Sequence, residues 1–137
     1  MPRFNSIHLA LPVKDLERGI RFFKVLFGCE VIALDKSRRT SIVSYDRFEF
    51  SLYEMPTFLP WTRGTLGPFH IGHEVTKKSS VDDLYELACR EGYETLGKPF
   101  HRDDGDYALF IKDDLGIMFE FFHGGHAEAV SRFRRAK

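Results

Sequence analysis

Ile7-His8-Leu9-Ala10-Leu11-Pro12-Val13-Lys14-Asp15-Leu16 is a strand-like run of alternating apolar positions, a proline and a helix-capping aspartate. It is the stretch on which the fold turns, because its elements recur in the second half of the chain. Ile7-His8 is matched by Phe69-His70, Val13-Lys14-Asp15-Leu16 by Val81-Asp82-Asp83-Leu84, and Gly28-Cys29-Glu30 by Gly92-Tyr93-Glu94. Each match is weak alone; their shared order carries the repeat. Working outward, residues 4–11 read as a strand closed by Pro12. Asp15 then caps a helix through Phe27, with Leu16, Ile20, Phe23 and Phe27 on one stripe and Gly28 as the stop. Strands follow at 30–34, 40–45 and 48–53, with Asp46-Arg47 turning between the last two. Residues 55–68 hold Pro56, Pro60, Gly64, Gly67 and Pro68, the punctuation of a linker.

After the linker, 69–75 reads as a strand, and Ser79 or Ser80 caps a helix with Val81, Leu84, Leu87 and Ala88 inward, ending at Gly92. Strands at 95–100, 107–112 and 117–122 complete the half, with Gly116 in the last hairpin. The chain therefore reads β-α-β-β-β twice: an α+β protein with modules at 4–54 and 69–123 and a short basic tail at 124–137. One such unit leaves a half-covered sheet with an open edge, so two must pair to close a core.

Composition narrows the function. The 137 residues carry 20 basic and 20 acidic side chains, so the formal charge is zero. That balance argues against a reader of phosphate backbones, and Arg132 to Lys137 reads as a solvated end. Apolar stretches are broken well short of a membrane span. The opening Met-Pro-Arg-Phe-Asn lacks the apolar core of a secretion signal, which makes a cytoplasmic location the expectation. Cys29 and Cys89 lack metal-type spacing and are expected as reduced, semi-buried thiols. Fourteen phenylalanines point to an aromatic-lined cavity or, more simply, a core built on Phe.

Three residues carry chemistry. His8 and His70 occupy matching places in the two first strands, and Glu120 sits inside Met118-Phe119-Glu120-Phe121-Phe122. A carboxylate with apolar neighbours on both sides needs a cation or strong donors, since desolvating it alone costs several kcal/mol. His8, His70 and Glu120 form a two-histidine, one-carboxylate set suited to a divalent metal with open positions. Taken singly, a strand histidine is more often a hydrogen-bonded interior residue, and Glu120 has the alternatives of a solvent-facing edge or an arginine partner.

The sequence resembles the vicinal oxygen chelate superfamily, which includes lactoylglutathione lyase, fosfomycin-resistance enzymes, methylmalonyl-CoA epimerase, extradiol dioxygenases and bleomycin-resistance proteins. The likeness rests on residues 7–16, on Phe22-Phe23-Lys24-Val25-Leu26-Phe27-Gly28-Cys29, on Phe69-His70-Ile71, and on Asp113-Asp114-Leu115-Gly116-Ile117-Met118-Phe119-Glu120. It implies a single glyoxalase-like domain over 1–137, with a cupped mixed sheet around a metal. By position, His8, His70 and Glu120 match three ligand sites. The fourth falls on Ser51, where lactoylglutathione lyase has Glu and the epimerase Gln. The fosfomycin and dioxygenase families place a tyrosine ten residues before the last-strand glutamate; here that residue is Phe110, with Tyr107 three residues earlier. Residues 101–106 also lack the serine-bearing loop of a fosfomycin enzyme.

The resemblance implies a metal-dependent enzyme, a lyase, isomerase or dioxygenase, acting on a small molecule with adjacent oxygens. The ion, one of Fe, Mn, Ni, Co or Zn, would be held by His8, His70 and Glu120. Glu49 and Tyr53, which share the face of Ser51 by alternation, are the candidate catalytic acid and base, with Glu74 third; Glu54 points away. The alternative is a metal-free antibiotic-binding protein of the bleomycin-resistance type. A regulatory subunit with a decayed site is a third reading, motivated by Ser51. A homodimer is expected, with His8 at or across its interface. His73, opposite in parity to His70, is expected to be structural. Gly72 leaves room for a ligand or marks a bulge, His123 and His126 stand at a cavity mouth or in a polar end, and Trp61 and Arg63 contact an anion or pack the linker.

Overall fold

The computed structural model describes residues 7–55, 70–103, 105–124 and 134–136. The chain separates into two compact units, Met1–Trp61 and Thr62–Lys137, each built on its own sheet.

In the first unit the order is β1 (Ile7–Val13), α1 (Leu16–Phe27), β2 (Glu30–Asp35), β3 (Thr40–Tyr45) and β4 (Phe48–Glu54). The strands lie in the order β1-β4-β3-β2, with β1 parallel to β4 and the other pairs antiparallel. Asp15 opens α1 by accepting from the Arg18 amide at 2.8 Å, and Gly28 closes it at φ +67°, as expected. The helix also has a second anchor: Glu54 accepts from the Leu16 amide at 2.9 Å and pairs with Arg39. Glu54 thus stands on the helix side of β4, opposite Ser51. The apolar stripe of α1 is wider than the expected one, with Leu16, Phe22, Phe23, Leu26 and Phe27 buried and Ile20 only half-buried. Pro12 does not close β1, which runs on to Val13. As an edge strand of this sheet, β1 loses no ladder bond to a residue lacking an N–H.

The second unit runs β5 (Ile71–Glu74), α2 (Lys78–Glu91), β6 (Glu94–Thr95), β7 (Phe100–His101), β8 (Tyr107–Lys112) and β9 (Met118–His123). Its strands lie in the order β5-β9-β8-β6, β7 also pairing with β8, and β5 is parallel to β9 as β1 is to β4. Three expectations are corrected here. The cap of α2 is Lys77, which makes no side-chain cap bond, not Ser79 or Ser80; both serines lie inside the helix. The strand expected at 95–100 is two short strands, because Gly97 at φ +87° turns the chain just after the Leu96 amide bonds to Phe110 O. Cys89 is exposed rather than semi-buried, whereas Cys29 is buried, which raises its thiol pKa to about 11.

The phenylalanines are mainly core. Phe22, Phe23, Phe27 and Phe50 fill the space between α1 and its sheet, and Phe119 and Phe121 do so under α2. Among the described residues no helix is long and apolar enough to cross a membrane.

The β8–β9 turn holds a half-buried carboxylate. Asp113 Oδ1 accepts from the Leu115 and Ile117 amides, both at 2.9 Å, and desolvation outweighs these donors, raising its pKa to about 6. The fold therefore favours the protonated acid. Stability from this group is full below the ordinary aspartate range and is lost as pH rises through about 6. Asn keeps the acceptor without the charge. At roughly 1.4 kcal/mol per pH unit, Asp113→Asn is expected to gain about 2–3 kcal/mol at pH 7.5 and little at pH 4. Urea midpoints at the two pH values check this, and an equal effect at both would refute it.

Candidate metal centre

Each unit brings its chemistry to the sheet face opposite its helix. In the first, Leu11, Val13, Phe50 and Leu52 are buried on the helix side. Register then places His8 beside Glu49, Ala10 beside Ser51 and Pro12 beside Tyr53 on the other face. Glu49, Ser51 and Tyr53 share that face, as alternation predicts. Ser51 is buried, Glu49 half-buried and Tyr53 47% exposed; His8 is exposed.

In the second unit the same pattern sets Gly72 beside Glu120 and Phe110 on Glu120's other flank. His8 precedes Ala10 by two residues, and His70 precedes Gly72 by two. The register Ala10–Ser51 thus repeats as Gly72–Glu120, so Ser51 occupies in the first sheet the position that Glu120 occupies in the second.

Glu120 is only 4% exposed. Its Oε2 lies 2.8 Å from His70 Nε2, and its Oε1 lies 2.6 Å from Arg102 Nη1. The buried carboxylate has the cationic partner that its apolar neighbours demand. Arg102 was not among the candidates read from sequence. The one signal for it was the requirement for a cation at Glu120, which does not say where along the chain that cation lies. A Cβ on Gly72 would stand 3.3 Å from the Phe122 ring and 3.7 Å from Glu120 Oε2, so the glycine lets the first strand of this unit approach the carboxylate closely. Phe110 sits edge-on to His70 at 5.6 Å and is stacked by Phe100.

The remaining candidates separate from this group. Tyr107 donates its hydroxyl to Asp82 on α2 at 2.5 Å, on the helix side of the sheet. His73 faces the same side against Phe121, and burial lowers its pKa, in keeping with a structural role. His123 bonds through Nδ1 to Val75 O at 2.9 Å, joining β9 to the end of β5. Glu74 is exposed. Trp61, Arg63 and His126 lie outside the described residues.

Among the described residues there is no group of three or more His, Cys, Asp or Glu side chains placed to hold a metal ion; the second unit has the His70–Glu120 pair. Two donors each about 2.1 Å from one ion and at right angles to each other lie about 3 Å apart. His70 Nε2 and Glu120 Oε2, at 2.8 Å, fit such a pair. Borderline nitrogen with hard oxygen suits first-row divalent ions.

Comparison with known proteins agrees with the architecture. The profile of the Glyoxalase/Bleomycin resistance protein/Dioxygenase superfamily matches residues 6–121, and the chain belongs to that superfamily. Solved structures of the same fold include a genomically encoded fosfomycin resistance protein from Listeria monocytogenes, with a TM-score of 0.74 and 20% identity over 92% of this chain and 95% of that one. A lactoylglutathione lyase from Agrobacterium tumefaciens gives a TM-score of 0.66 and 17% identity over 91% and 97%. A glyoxalase/bleomycin resistance protein/dioxygenase from Alicyclobacillus acidocaldarius gives 0.68 and 20% over 90% and 93%.

Proposed function

We propose that this chain is a divalent-metal-dependent enzyme acting on a small molecule with two adjacent oxygens, with His8, His70 and Glu120 as the metal ligands. The observation that carries this reading is the His70–Glu120 pair, whose two donor atoms have the spacing of neighbouring ligands on a buried carboxylate. The repeat adds His8 as the counterpart of His70. A bound ion supplies a positive centre for the substrate's oxygens and for negative charge developing on them.

The chain's own residues supply the rest. Glu49, half-buried beside His8 in the register, is the proton acceptor, and the phenol of Tyr53 on the same face is the donor. Phe110, stacked by Phe100, meets the His70 ring edge-on and helps to orient the imidazole. Ser51, a weak ligand in place of a carboxylate or amide, would leave a bound ion with His8, His70 and Glu120 as its protein ligands. Lyase, isomerase and oxygenase chemistry all fit this arrangement. We further propose a homodimeric state.

One observation favours a second reading, a metal-free small-molecule binding protein: Glu120 already has donors on both oxygens. Metal analysis of protein purified without chelator decides between the two. About one ion of Fe, Mn, Ni, Co or Zn per chain, lost in His8→Ala, is the expected result. Metal-free protein that gains no ion on titration and still binds aromatic drug-like ligands would establish the second reading instead.

A further inference from the structure

We propose that Arg102 is a positioning residue that divides the Glu120 carboxylate, keeping Oε1 on its guanidinium so that Oε2 alone is presented with His70 to a metal ion. The inference rests on the metal reading above and extends it to a residue that neither the repeat nor the superfamily's ligand pattern contains. Carboxylate ligands bind through one oxygen or two, and the second oxygen's neighbours decide which. Here that neighbour is a cation 2.6 Å away, beside a carboxylate 4% exposed, so water is a poor competitor for Oε1.

The position of Arg102 is built into the backbone. It follows β7 directly, its amide donates to Asp106 O at 2.7 Å, and its carbonyl accepts from Gly105 N at 3.1 Å, closing the β7–β8 connection into a tight turn. That turn lies against the end of β9 at Gly124, φ +137°, where a Cβ would come within 2.9 Å of Gly105 O. A residue with no side chain at 124 therefore lets the turn sit close enough for Arg102 to reach back to Glu120. A fixed guanidinium beside the ligand carboxylate has two consequences. It withholds one oxygen, and it repels a divalent ion at the neighbouring oxygen. Both lower the affinity of the site.

The test uses the full chain as wild type, Arg102→Met, Arg102→Lys and His70→Ala, titrated with Mn²⁺ followed by electron paramagnetic resonance and with Co²⁺ followed by its visible bands. Arg102→Met, which removes the repelling charge, is expected to bind Mn²⁺ about tenfold more tightly. Its Co²⁺ bands are expected to weaken as Oε1 joins the ion and the coordination number rises. Arg102→Lys keeps the stem and charge but lacks the planar fork, so it should move the Co²⁺ spectrum the same way by less. It carries the test if far-UV circular dichroism shows Arg102→Met unfolded. An unchanged Co²⁺ spectrum, or Mn²⁺ binding that is equal or weaker in the Met variant, overturns the proposal. If wild type binds either ion and His70→Ala does not, that failure belongs to Arg102 alone. If wild type and His70→Ala bind alike, the metal reading falls and this proposal with it.

Discussion

Glu120→Ala is expected to lower the affinity for a divalent ion by at least about 100-fold, an effect on the scale expected for loss of either proposed histidine ligand. The substitution removes the proposed charged ligand and the carboxylate shared by His70 and Arg102. On the proposed reading, a site that then offers imidazole nitrogen near a guanidinium, with no carboxylate between them, disfavours a divalent ion. The loss of folding stability is smaller, about 1–3 kcal/mol, because the Arg102 and His70 side chains are 38% and 36% exposed and water can solvate both. Thermal melts with and without added Mn²⁺ separate the two effects. Ligand at 100 times its dissociation constant stabilises a protein by about 2.7 kcal/mol, a gain expected in wild type and absent from the variant. An equal metal-induced shift in both would remove Glu120 from the ligand set.

Phe23→Ala is the second large effect, expected to cost about 3–5 kcal/mol. Phe23 is 1% exposed, and its ring centroid lies 4.3 Å from Phe50 and 5.4 Å from both Phe22 and Phe27. Neighbouring rings on a helix and a strand cannot collapse into the space left by a deleted ring without moving backbone, so the cavity persists. Set against a total stability of roughly 5–15 kcal/mol for a natural domain, the variant is left marginal. The urea midpoint checks this, and a loss under about 1 kcal/mol would mean that the site repacks.

Where local rules and tertiary context agree, the sequence was readable. Asp15 and Gly28 bracket α1 because one supplies an oxygen for a free amide and the other tolerates a left-handed backbone. The strands Thr40–Tyr45 and Tyr107–Lys112 were legible to the residue, and the opposed parity of His70 and His73 followed from a period of two. The misplaced features depend on neighbours that no window contains. Whether Pro12 ends a strand depends on whether that strand lies at an edge. The start of α2 rests on Lys77, a residue with no capping chemistry to advertise it. Glu54 serves a helix end 38 residues earlier, and Arg102 serves a carboxylate 18 residues later. Long-range pairs of this kind carry no periodic signal, and an arginine in a turn looks the same in sequence whether it is solvated or committed.

The matching registers of the two sheets bear on how this chain can diversify. One backbone address, met twice, holds an acid in one copy and a small hydroxyl in the other. The halves have parted company in chemistry while keeping a common frame, so exchanging the side chain at 51 adds or withdraws a donor with no strand having to shift. A shared frame of this sort lets the side chain at one address stay fixed while its counterpart at the other changes.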